Sequence, residues 1–178
     1  IFTAQFHGSK DNEGIRHTFR FKILVGVLLS ALGAGIFLTF REQLIGLYLT
    51  GEGSPEDAAE TMAYGVRYLK VMLLGLLPFA LSNAYSGTMR EVGETKVPMV
   101  AGIIAVLVNL IGNYILIFGH FGAPALGVVG AALATVISRF VELGIVAGWL
   151  HCHGARHPYI IGALRSFRIP RKLTGDII

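Results

Sequence analysis

The sequence predicts an all-α integral membrane protein with four transmembrane helices. Three observations carry that reading. Mean hydropathy is +0.64, and 53% of the 178 residues are hydrophobic against 15% charged, well outside the balance of a soluble domain. The charged residues gather between four long apolar runs and leave those runs nearly bare. Each run reaches the roughly 20 residues an α-helix needs to cross about 30 Å of hydrocarbon.

The first span covers 21–40, with Lys22 as its only charge, at the edge. The second covers 68–89, with Lys70 near one end and Pro78 inside, a residue that membrane helices tolerate better than soluble ones. Ser54, Pro55 and Asp57 read as the start of its helix: a cap, a proline at the first helical position and the second half of a capping box. That helix is therefore expected to begin near Pro55 and to run along the interface before entering the bilayer. The third span covers 97–119, with Pro98 in the first turn, where its missing N–H costs nothing. The fourth covers 126–150 and alone carries charges in its middle, Arg139 and Glu142. The uncharged turn GHFGAPAL joins the third span to the fourth. Gly26, Ser30 and Ala34 on the first span, and the pair Gly144 and Gly148 on the fourth, offer small-residue faces for close helix packing.

Basic residues set the orientation. Eleven Lys and Arg lie before the first span or at its edge (Lys22), between the second and third, and after the fourth, among them Arg16, Arg20, Lys96 and Arg168. The other side has Arg41, Arg67 and Lys70. Both ends of the chain are expected in the cytoplasm, and the acidic group Glu52, Glu56, Asp57 and Glu60 outside. The same asymmetry explains the net charge of +4 without nucleic acid as a partner. Cys152 is the single cysteine, so no internal disulfide forms. The chain opens on Ile1 without a signal peptide and closes on an amphipathic stretch, so a longer polypeptide is expected on both sides.

Polar residues inside a span are costly, and their positions are where function is read. Phe79, Ser82, Asn83, Ser86 and Arg90 make one stripe on the second span. Asn109 and Asn113 share a face of the third, and Thr135, Arg139 and Glu142 share a face of the fourth. Three helices with one stripe each suggest a common interior, in which Asn83, Ser86, Arg139 and Glu142 line a substrate cavity. Two readings of Arg139 and Glu142 stay open: a self-neutralised pair with Arg139 snorkelling to the interface, or a pair that handles substrate or protons. Asn109 and Asn113 are either hydrogen-bond glue between helices or ligands. His151, Cys152, His153 and His157 have no second cysteine or carboxylate beside them, which favours an interfacial loop over a metal site. No HExxH, GxSxG, P-loop or paired intramembrane aspartate is present, so enzyme chemistry is not expected.

From SGTMREVGETKVPM through NYILIFG to GVVGAALAT, the sequence resembles the multidrug and toxic compound extrusion (MATE) transporter family. The resemblance rests on Gly87 with Arg90, on the run Gly93, Glu94, Thr95, Lys96 and Pro98 entering the next helix, and on the Asn-bearing helix that follows. HGSKDNEGIRHTFR resembles the loop before the third family helix, and RSFRIPRKLTGDII the linker into the seventh. The resemblance implies helices three to six of a twelve-helix transporter built of two six-helix bundles. In that frame 151–178 is a cytoplasmic inter-lobe linker, and the absent first two helices and second lobe are partners. It implies a multi-pass protein of the cell (inner) membrane that exports drugs and other small amphipathic or cationic molecules by Na+- or H+-coupled antiport. No cofactor is implied, and no metal other than Na+. Asn109 and Thr135 match cation ligands of some prokaryotic members, while Asn113 stands where those members have an aspartate. A lipid-linked oligosaccharide flippase of the same superfamily and a non-transporting scaffold are the alternatives. Four helices that pack against eight more are expected to fold poorly in isolation.

Overall fold

The computed structural model describes residues 2–49 and 55–164. Its helices are α1 (Phe2–Gly8), α2 (Asn12–Thr39), α3 (Arg41–Gly46), α4 (Pro55–Leu73), α5 (Leu76–Glu91), α6 (Lys96–Phe118) and α7 (Val128–Cys152). Among the described residues, Asn12–Thr39, Glu56–Glu91, Lys96–Phe118 and Val128–Cys152 are long and apolar enough to cross a membrane. The expectations for Glu52, for the Ser54 cap and for 165–178 fall outside the described residues.

Helix α2 starts nine residues before the expected edge of the first span, so much of the stretch expected as a loop is helical. The Asp11 carboxylate accepts from the backbone N–H groups of Glu13 and Gly14, each at 3.0 Å, and so caps the helix. Ile15, Phe19 and Ile23 then recur every four residues and are all buried, so apolar periodicity carries the helix through the basic stretch. The short α1 is tied back by Thr3 Oγ1 donating to Thr18 Oγ1 at 3.1 Å.

The second span is broken rather than continuous. Pro78 has no N–H to offer the Leu74 carbonyl, and its ring crowds that carbonyl. Accordingly α4 ends at Leu73, its last bonds tighten to Leu74 N–H on Val71 O and Gly75 N–H on Met72 O, and α5 restarts at Leu76.

The α5–α6 connection is closed by glycine geometry. Gly93 sits at φ 86°, Glu94 N–H bonds Met89 O at 2.8 Å, and Gly93 N–H bonds Arg90 O at 3.1 Å. This is the paired closure of a Schellman motif. Helices α6 and α7 form the most extensive pairing, an antiparallel hairpin whose turn is held by Leu126 N–H on Leu116 O at 2.9 Å. A methyl group at Gly130 would stand 2.6 Å from the Leu116 carbonyl carbon, so only glycine permits this approach. On the first span, Gly26 faces Ala80 and the Ser30 hydroxyl donates to Leu76 O, as the small-residue face predicts. A methyl group at Gly144 or Gly148 would meet nothing of another helix within 4 Å among the described residues. Their GxxxG spacing therefore packs against none of these helices, and the tight approach falls on Gly130 instead.

The buried core lies at the basic end of the bundle. Ile15 and Phe19 of α2, Tyr85 and Met89 of α5, and Val146 and Leu150 of α7 meet Tyr159, Ile160 and Ala163 there. Phe19 and Tyr85 pack edge to face with centroids 4.9 Å apart. The middle of α2 instead exposes Leu28, Leu29, Leu32 and Ile36. The segment after α7 up to residue 164 is thus packed against the bundle.

His157 heads that segment, its ring 5.6 Å from both Trp149 and Tyr159. Burial pulls its pKa below the ordinary value, Glu94 opposes the shift, and His153, Arg156 and His7 reinforce it. The folded state then binds fewer protons than the unfolded chain. Docking is fully stable above the usual histidine pKa of about 6.5 and weakens as pH falls through the lower folded value. A spin label at Ile161→Cys should gain mobility between pH 7 and pH 5, and His157→Gln should flatten that response.

Candidate functional site

The polar residues of α6 and α7 meet across the hairpin. Asn109 Nδ2 donates to Thr135 Oγ1 at 3.1 Å, and Asn113 Nδ2 donates to Asn109 Oδ1 at 3.2 Å. The Thr135 hydroxyl donates to Ala131 O at 3.0 Å, one turn back. Asn113 Oδ1 is buried without a hydrogen-bond partner. A buried amide oxygen lacking a donor costs roughly 1–3 kcal/mol unless something supplies positive charge. Asn109 Oδ1 and Thr135 Oγ1, on the same chain of hydrogen bonds, are oxygens too, the donor type that hard cations select, and each accepts an amide N–H here. The residues present fit a small cation such as Na+, which asks for oxygen ligands and no titratable group.

Arg139 and Glu142 lie one turn further along α7. Arg139 Nη1 donates to Glu142 Oε2 at 3.0 Å, and the guanidinium carbon stands 5.1 Å from the Phe79 ring centroid. The cationic head is thus held by a carboxylate on its own helix and an aromatic face on α5.

These residues lie along a furrow of three neighbouring cavities that share wall residues. A cavity of about 610 Å³ beside α6 and α7 is lined by Arg90, Asn109, Thr135, Ser138, Arg139 and Glu142, among others. A smaller one of about 200 Å³ shares Thr135 and Arg139 with it and adds Phe79 and Leu76. Those two residues also line a third cavity, of about 600 Å³, between α2 and α5 with Lys22, Ser30 and Asn83. Asn83 lines the cavity between α2 and α5, and Arg139 and Glu142 line the one beside α6 and α7. Ser86 is 4% exposed with its hydroxyl unpartnered and lines none of the three cavities. The α5 stripe is about 100° wide at 3.6 residues per turn. Its Ser82 and Ser86 edge turns into the packed interior, while its Asn83 edge faces the furrow. Asn83 spends its amide on Phe79 O, one turn back, at 2.8 Å.

The expected connection motif is mostly architecture. Gly93 supplies the left-handed turn, Thr95 precedes α6 without a side-chain cap, and Pro98 is buried in its first turn. Arg90 and Pro98 reach the furrow. Lys22 pairs with Glu91 at the same end. Three side chains carry more than their sequence context suggested. Phe79 joins the cavities, and Arg16 with Arg20 bonds the chain after α7. Only the four-residue spacing of the two arginines could have flagged them.

The fold defines a polytopic helical membrane protein with polar groups placed between its helices. The MatE family model matches residues 1–115. A probable multidrug resistance protein NorM of Thermotoga maritima is 37% identical over 124 residues, covering 70% of this chain and 24% of that protein. Multidrug resistance protein PmpM of Pseudomonas aeruginosa is 31% identical over 144 residues, 80% of this chain and 29% of its own length. The chain belongs to the MatE family. A solved multidrug resistance MATE family transporter, in an inward-facing conformation, shares the fold with a TM-score of 0.80 at 24% identity, over 99% of this chain and 37% of that one. The chain spans roughly a quarter to a third of the length of the curated relatives it matches.

Proposed function

We propose that this chain forms part of the first lobe of an exporter that expels drugs and other small amphipathic or cationic molecules by alternating access, coupled to a cation gradient. Family membership and the multidrug resistance relatives support export. The observation that carries the coupling is the oxygen cluster of Asn109, Asn113 and Thr135, with Asn113 Oδ1 buried and unpartnered. With an amide where some family members have an aspartate, nothing in the cluster releases a proton, which supports Na+ over H+ as the ion for this cluster. Asn83, Arg139 and Glu142 line the path the cargo takes.

The test uses the gene-length polypeptide in drug-sensitive cells, with ethidium efflux measured under Na+ and pH gradients. Efflux should follow the Na+ gradient, and no gradient-dependent efflux across a broad drug panel sinks the reading. Asn109→Ala and Thr135→Ala should each remove Na+ dependence at an unchanged membrane level, and Asn113→Asp should add dependence on pH. Unchanged coupling in all three places the ion elsewhere. The basic end is assigned to the cytoplasm in the cell membrane. An impermeant thiol reagent should therefore reach the exposed Cys152, as sole cysteine, in inverted vesicles and not in intact cells.

A further inference from the structure

Two arginines one helical turn apart on α2 grip the chain that leaves α7. Arg16 directs Nε to Tyr159 O at 3.1 Å and Nη2 to Pro158 O at 3.2 Å. Arg20 directs Nε to Ala163 O at 2.8 Å and Nη2 to Gly162 O at 2.9 Å. Each guanidinium presents two N–H groups as a planar fork to two successive carbonyls, a geometry that a lysine, with its single point of charge, does not reproduce. The gripped backbone is not peripheral. Tyr159, Ile160 and Ala163 are 2%, 3% and 0% exposed and close the core over Phe19 and Leu150. Gly162, at φ 72°, makes the turn that brings its carbonyl to Arg20. Positive charge near the basic end serves orientation wherever it stands, but orientation does not require forks on particular carbonyls about 140 residues away.

The placement matters because α5 stands between α2 and α7 over most of the bundle. The first and last of these spans are joined directly at the basic end, through this strap and the core beneath it. We propose that Arg16 and Arg20 are positioning residues that fasten segment 158–163 to α2. Helices α2 and α7 and the chain leaving α7 then move as one body when the lobe rocks. This rests on the export reading above, since it makes the strap part of what transmits the rocking motion.

The experiment uses the gene-length polypeptide in proteoliposomes, free of other cysteines, with nitroxides at Glu13→Cys and Ile161→Cys. The spin–spin distance, ethidium affinity and ethidium efflux are read together. The parent should give one narrow distance. Arg16→Gln with Arg20→Gln should broaden it and slow efflux about tenfold, about 1.4 kcal/mol in the barrier, with ethidium affinity unchanged. The double lysine variant should behave like the double glutamine variant. Arg16→Gln alone, which removes the less buried fork, should give an intermediate result and decides the matter if the double variant does not fold. A distance that stays narrow without the forks, efflux that stays fast when it broadens, or rescue by lysine overturns the proposal. A parent with a narrow distance and no efflux under any gradient overturns the export reading and, with it, the coupling role, while the grip itself stands on the distance.

Discussion

Replacing Gly130 with alanine should lower the thermal unfolding midpoint sharply. The added methyl meets the Leu116 carbonyl at the point where α6 and α7 pass most closely. That carbonyl cannot retreat cheaply, because it also accepts the Leu126 N–H that closes the hairpin turn. Relief requires the two helices to separate along their most extensive interface. Overpacking of this kind costs about 3 kcal/mol, a large share of a marginal total of roughly 5–15 kcal/mol. Thermal unfolding followed by size-exclusion fluorescence in detergent measures it. Gly144→Ala is the control: its methyl meets nothing within 4 Å among the described residues, so its midpoint should stay level or rise slightly as helix propensity improves. Equal behaviour of the two variants would mean that Gly130 is not the contact that sets the hairpin.

Glu142→Ala should be the most damaging change in the furrow. Arg139 would keep the Phe79 face and lose its carboxylate partner. An uncompensated arginine near the middle of a span costs about 2.5 kcal/mol on insertion scales, the lower figure being apt because the Arg139 side chain is 38% exposed. Membrane yield and efflux should both fall. Arg139→Met combined with Glu142→Met removes the charge together with its partner, so yield should recover. If efflux recovers as well, the pair only neutralises itself. If yield returns and efflux does not, the pair serves the cargo or the coupling step. The double variant thus separates the two readings that spacing left open.

Much of the fold was legible because each span has to satisfy its own backbone in lipid. Length, apolarity and the run of basic residues were enough to place the four spans. The helix break at Leu74 and Gly75 was also within reach of the sequence, since Pro78 disables one particular carbonyl four residues earlier. The extension of α2 back to Asn12 was harder to see. Hydropathy marks where lipid begins rather than where a helix starts, and the Asp11 cap lies among charges that read as loop.

The site was legible only in part. Spacing put Asn109 and Asn113 on one face and Thr135, Arg139 and Glu142 on another, and the family resemblance picked out which of them to watch. Spacing carried no information on how far one helix is rotated against the next. That rotation brings Asn109 to Thr135, turns Ser86 inward while leaving Asn83 in the furrow, and sets Phe79 over Arg139.

By itself the sequence determined the class, the spans and their polar faces, because each depends on periodicity within a single segment and on the cost of placing charge in hydrocarbon. Only the tertiary structure decided which faces meet, that Gly130 and not the GxxxG pair is the close approach, and that Arg16 and Arg20 hold a backbone far away in sequence. Those outcomes depend on packing between segments, where a clash below 3 Å or a fork on two carbonyls outweighs anything a local pattern encodes.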